Sequence, residues 1–188
     1  MKTYFFYIVL IFFISCKKQS NISPYLNVYN DIEYVGINTC KQCHMDIYNT
    51  FIKNGMGKSF NVAQKEFSSS DFKHPIFDSI LGFYYFPEWT NNELFLNEYQ
   101  LKSNDTSFSL KTKIDYIVGS GNHTNSHIIN SNGYLYQAPF TFYTQDSILD
   151  FPPGFEYGNN SRYDRKIGLE CMSCHNAFPH FNIGSENK

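Results

Sequence analysis

Four of the chain's five cysteines fall into two pairs of the form C-x-x-C, each followed at once by histidine. In full they read Cys40-Lys41-Gln42-Cys43-His44 and Cys171-Met172-Ser173-Cys174-His175. Two thiols at this spacing reach the two vinyl positions of one porphyrin, and the histidine that follows is held beneath the iron as its proximal ligand. This is the attachment pattern of c-type haem. Given the chain's Cys and His frequencies, one such motif arises by chance with a probability of roughly 0.4%, and two roughly once in 100,000. The spacing therefore predicts two covalently bound haems c. Cys40, Cys43, Cys171 and Cys174 are the thioether positions, and His44 and His175 are the iron ligands. A zinc ribbon would draw its ligands from both pairs, but the long separation and the two trailing histidines argue against it. A thioredoxin-like redox pair needs a βαβ setting that neither motif has.

Each iron has a sixth position, and the supply of partners is small. Beyond the two motifs the histidines are His74, His123, His127 and His180. His123 ends the run Gly119-Ser120-Gly121-Asn122-His123, whose glycines let backbone approach a porphyrin closely. His74 precedes Pro75 in a turn, His127 begins a strand, and His180 lies only five residues past His175, a tight geometry for the same iron, and serves the other haem or none. Met56 offers a thioether, which raises a haem's potential relative to two histidines. The candidate distal ligands are therefore His123, His74 and Met56. Any of these histidines also reads as an ordinary surface or core residue. Arg162, Arg165 and Lys166 stand shortly before the second motif, where haem propionates need counter-charges; a solvated surface cluster fits them equally well.

The elements that must position these groups are read from composition and pattern. With 188 residues, 42% hydrophobic, 17% charged and a net charge of -2, the chain is long and apolar enough for one globular domain. Acidic residues slightly outnumber basic ones and no basic stripe stands out, which excludes a nucleic-acid footprint. Lys2, an apolar run from Tyr4 to Ile14 and then Ser15-Cys16 follow the order of a secretory signal peptide over 1–15. The run is too short to span a bilayer. Phe13-Ile14-Ser15-Cys16 resembles a bacterial lipoprotein processing site, so Cys16 is expected to be lipidated and to head a polar tether over 16–33. The domain proper then covers 34–188. His44 opens a short amphipathic helix with Ile47, Phe51 and Ile52 on one face, closed by Gly55 and Gly57. Two β-hairpins are expected, 80–101 around Trp89-Thr90-Asn91-Asn92 and 126–137 around Asn130-Ser131-Asn132-Gly133. The 19% aromatic content suggests flat apolar partners inside the protein. The expected fold class is α+β: a haem-packed domain with short helices, two hairpins and much irregular structure, in which porphyrins supply part of the core.

The run Tyr34-Val35-Gly36-Ile37-Asn38-Thr39 into the first motif, with Ile47-Tyr48 and Gly55-Met56-Gly57-Lys58-Ser59-Phe60, resembles the opening of bacterial multihaem c-type cytochromes. The likeness is to the cytochrome c-554 type, including members with tetratricopeptide repeats downstream. A second block agrees: 114–123, Gln137-Ala138-Pro139 and 167–179 around the second motif. Members usually carry further haem sites past this point, so the resemblance implies either a two-haem form or the front part of a longer module. It implies electron-transfer chemistry, with redox proteins as partners and a place on the periplasmic side of a bacterial membrane or at the cell surface. An alternative is a haem enzyme reducing a small nitrogen or oxygen species at an open iron, or a module that helps assemble a redox complex.

Overall fold

The computed structural model describes residues 34–176 and 182–188. The leader over 1–15, Cys16, the tether and His180 lie outside the described residues. The chain divides into two compact units, 1–43 and 44–188, where the sequence suggested one domain from residue 34. In the first unit, helix α1 (Ile37–Cys43) carries Cys40 and Cys43 and buries none of its residues.

The second unit runs α2 (Met45–Phe51), β1 (Phe60–Val62), a 3-10 turn (Lys65–Phe67), β2 (Ile76–Asp78), β3 (Phe83–Thr90), β4 (Glu93–Lys102), β5 (Asp105–Ile114), β6 (Tyr116–Val118), β7 (Thr124–Ser131), β8 (Tyr134–Tyr143), β9 (Ile148–Asp150) and α3 (Leu169–His175). One antiparallel sheet has the order β1-β6-β7-β8-β9 and the other β2-β3-β4-β5. Both expected hairpins are present, as parts of these larger sheets. Asn91 and Asn92 turn β3 into β4 with φ of 50° and 64°, and Asn132-Gly133 turns β7 into β8 with φ of 55° and 92°. Positive φ at both central positions matches the twist of a two-residue hairpin, and asparagine and glycine tolerate it best.

The expected α+β, haem-packed class is not what forms. The second unit is a β-sandwich-like fold of nine strands, and side chains fill its core. Tyr85, Leu94, Leu96 and Ile114 of one sheet pack with Ile117, Ala138, Phe140 and Phe142 of the other, and Phe72 lies among them. Phe72 sets its edge against Phe140 and Phe142 at 5.9 and 6.3 Å and stacks on Trp89 at 6.2 Å. Burying one such aliphatic or aromatic side chain contributes about 1.5–3 kcal/mol. Many of the aromatic rings read from composition as porphyrin neighbours are thus neighbours of one another.

The long segment after β9 is tied to the second sheet by a buried polar network. Glu98 points inward from β4 and is fully buried. Arg162 meets it with a two-pronged ion pair, Nε to Oε1 at 2.7 Å and Nη2 to Oε2 at 2.5 Å, and lies over the Phe83 ring at 4.7 Å. Asn160 donates to Asp78 Oδ2 at 2.9 Å and to the Tyr85 hydroxyl at 3.1 Å. Burial, then the Glu98 charge, holds the Tyr85 phenol above its ordinary range. Beyond this anchor the backbone runs beside β8: Gln137 N donates to Arg165 O at 2.9 Å and Ile167 N to Leu135 O at 3.0 Å. That pairing delivers α3 to the first sheet, on the face opposite the sandwich core. There Met172 joins Ile128 and Ile167, with Phe60, Tyr116, Val118 and Leu135 around them.

Candidate functional site

The second motif occupies most of α3. Seven residues make barely two turns, too few for a helix to persist alone, so tertiary contacts must hold it. Met172 is its one buried residue and fixes which face meets the sheet. Cys171 and His175, four positions apart, then fall on one side of the helix. Both line an open pocket whose other walls include Val118, Ser126, Ile128, Gln137 and Ile167. All four motif cysteines are exposed and free of disulfides. His44 and His175 are exposed, and neither imidazole has a protein partner among the described residues.

The first motif is split between the units. Cys40 and Cys43 close α1, and His44 opens the second unit just before α2, its carbonyl accepting from Tyr48 N at 2.9 Å. Helix α2 buries nothing, although Met45, Ile47, Phe51 and Ile52 are 37–68% exposed. A short helix that leaves its apolar residues in solvent lacks the cover that ordinarily stabilises it. Tyr48 and Ile52 form part of the wall of a second, larger cavity, together with Lys58, Phe67 and the Gly119–Gly121 loop. Gly119 has φ +110°, and a Cβ there would sit 2.3 Å from the Thr124 carbonyl oxygen, so only glycine fits.

The candidate distal ligands are not gathered at these cavities. His74 and His123 are exposed, and the His123 carbonyl accepts from Thr144 N at 2.8 Å. The glycines preceding His123 do line the larger cavity, but His123 itself does not. Met56 is 61% exposed in the turn after α2. His127 borders the smaller cavity through its place in β7, but its ring is turned into the sandwich core. It stacks on Phe140 at 4.0 Å and meets the edge of Phe72 at 5.8 Å, and it is fully buried. Burial lowers its pKa to about 3, against a weak opposing contribution from the Phe140 carbonyl, so the ring is neutral.

The basic cluster is engaged elsewhere. Arg162 is on Glu98, Arg165 Nη1 donates to Gln137 Oε1 and Pro153 O at 3.1 and 2.8 Å, and Lys166 pairs with Glu186. Lys58, at the wall of the larger cavity, makes no ion pair among the described residues. Two kinds of site residue carry no sequence signal. The cavity walls from β6, β7 and β8 are ordinary strand residues with no local signature, and Ser59, which bonds the backbone of His175, lies far from it in sequence. No family model, curated protein or solved structure matches the chain.

Proposed function

We propose that this protein is an exported, membrane-anchored c-type cytochrome with two covalent haems that passes electrons between redox proteins. One observation carries the reading: Cys171 and His175 line a single cavity backed by the apolar face of the first sheet. The chemistry of the donors fits the group, since free exposed thiols are available for thioether bonds and a histidine without a protein partner for iron. The apolar residues Met45, Ile47 and Phe51 of α2, which follow His44 directly in the chain, are uncovered. Bound at these positions, haem supplies a one-electron ferric–ferrous couple. The chain's own part is to fix each ring, exclude water from it and set the charge around it.

The chain is expressed with its leader in a host that has haem-ligation machinery, and covalent haem is read on a denaturing gel and by intact mass. Two haems are expected in the parent. One is expected in Cys40→Ala/Cys43→Ala, one in Cys171→Ala/Cys174→Ala, and none in the fourfold variant. A parent without haem, or a fourfold variant stained like the parent, overturns the reading.

A specific observation favours a second reading at the second site. Neither His74, His123 nor Met56 lines the cavity that Cys171 and His175 share. An iron left five-coordinate there binds small nitrogen or oxygen species. High-spin ferric signals and a spectral shift on adding nitrite or carbon monoxide are the expected marks of that reading.

A further inference from the structure

Ser59 is 7% exposed and stands between the turn after α2 and the start of β1. Its hydroxyl lies 2.8 Å from Met56 O and 3.0 Å from His175 O, and its own carbonyl accepts from Gly119 N at 2.7 Å. One serine thus stands among the turn after α2, the glycine loop of the larger cavity and the last residue of the second motif, with its single hydroxyl proton in reach of two carbonyls.

The two acceptors are not equivalent. Met56 O also receives Ser59 N, at 3.2 Å. His175 O ends α3, where carbonyls lack a partner within the helix, and Ser59 is its sole donor among the described residues. The hydroxyl therefore caps the C-terminal end of a two-turn helix from outside, at a residue that lines the smaller cavity. With so few turns, α3 has little stiffness of its own, and this bond fixes the backbone from which the imidazole projects.

We propose that Ser59 is a positioning residue for the second haem, acting through the carbonyl of His175 to hold the proximal imidazole in place. The inference rests on the dihaem reading. A ring released from its backbone anchor bonds ferric iron less well, so losing the hydroxyl favours the reduced form. Only the part of the bond's energy that differs between ferric and ferrous haem shifts the couple, so the change in the ratio of reduced to oxidised haem at a fixed potential is at most roughly fivefold.

The haem-loaded full chain is compared with Ser59→Ala, Ser59→Val and Ser59→Thr by redox titration and electron paramagnetic resonance. Thr keeps the donor and Val is its isostere without one. Expected is a shift of one of the two midpoints toward the reduced form, with altered low-spin signals from that haem alone. Ala and Val should show it and Thr should not, while all three retain two covalent haems. Two unchanged midpoints in folded Ala or Val variants overturn the proposal. So does failure of both hydroxyl-free variants to fold while Thr folds, because the hydroxyl then serves the fold rather than the imidazole. A parent chain without covalent haem overturns the dihaem reading itself, an outcome distinct from both.

Discussion

Arg162→Ala is expected to destabilise the protein by about 3 kcal/mol, measured by chemical denaturation at neutral pH. The reason lies in Glu98 rather than in the arginine. Its carboxylate is fully buried in the inner face of β4, and the guanidinium of Arg162 meets both of its oxygens. Removing the arginine leaves a buried carboxylate without its counter-ion, and such losses cost about 3–5 kcal/mol. The lower end applies because the Arg162 side chain is itself 38% exposed, so water reaches the gap once it is vacated. Arg162→Lys should fall between parent and Ala, since an ammonium cannot form the two-pronged contact or lie flat over Phe83. The double variant Glu98→Leu/Arg162→Leu should recover much of the loss, because no charge is then left buried. A loss below about 1 kcal/mol in Arg162→Ala would show that Glu98 finds water without the arginine. The effect should extend to the haem motif at α3, because Arg162 anchors the segment that carries it to β8.

Acid should destabilise the fold through His127. Its ring is neutral in the native state with a pKa of about 3, whereas in the unfolded chain it titrates at the ordinary value of 6.5. Between these values the unfolded state binds the extra proton, so stability rises with pH across this window and falls as pH is lowered through it. The slope is about 1.4 kcal/mol per pH unit, flattening near the native pKa. Other groups add their own pH dependence, so the comparison is with His127→Phe, which keeps a ring against Phe140 and removes the titrating nitrogen. Unfolding is followed by far-ultraviolet circular dichroism on the haem-loaded chain. From pH 6.5 to 4.5 the parent should lose about 2–3 kcal/mol more than His127→Phe. At pH 7 the two should lie within about 1.5 kcal/mol of each other, since the variant also removes a buried ring nitrogen, Nε2, that has no partner. Equal losses in both proteins would mean that His127 gains a partner or water on protonation.

The strands show where sequence pattern carries information and where it does not. In β4, Leu94, Leu96 and Glu98 alternate inward with Phe95, Asn97 and Tyr99 outward, and a period of two along the chain marks a strand from residue order by itself. Strand β5 carries the same alternation, with Phe108, Leu110 and Ile114 on one face and Ser107, Ser109, Lys111 and Lys113 on the other, although it lies at the edge of its sheet and is exposed along most of its length. Strands β1, β2, β6 and β9 have three residues each, too few to show a period. The expected class failed for a related reason. Composition counts aromatic rings without saying what they touch, and Phe72, Tyr85, Phe140 and Phe142 pack together between two sheets.

What the sequence alone determined is chemistry confined to a few adjacent residues. It includes the two C-x-x-C-H motifs and the asparagine and glycine turns. Each of these is set by bond lengths, thiol spacing and φ preferences that act within a few residues. Only the tertiary structure decided that α3 lies on the outer face of the first sheet, that His127 turns inward as a neutral core residue, and that Arg162 serves Glu98. It also brought Ser59 to His175 across 116 residues. These outcomes depend on which surfaces bury one another, and burial is set by packing elements that are far apart in the chain, a free energy summed over the whole fold that no short stretch of residues encodes.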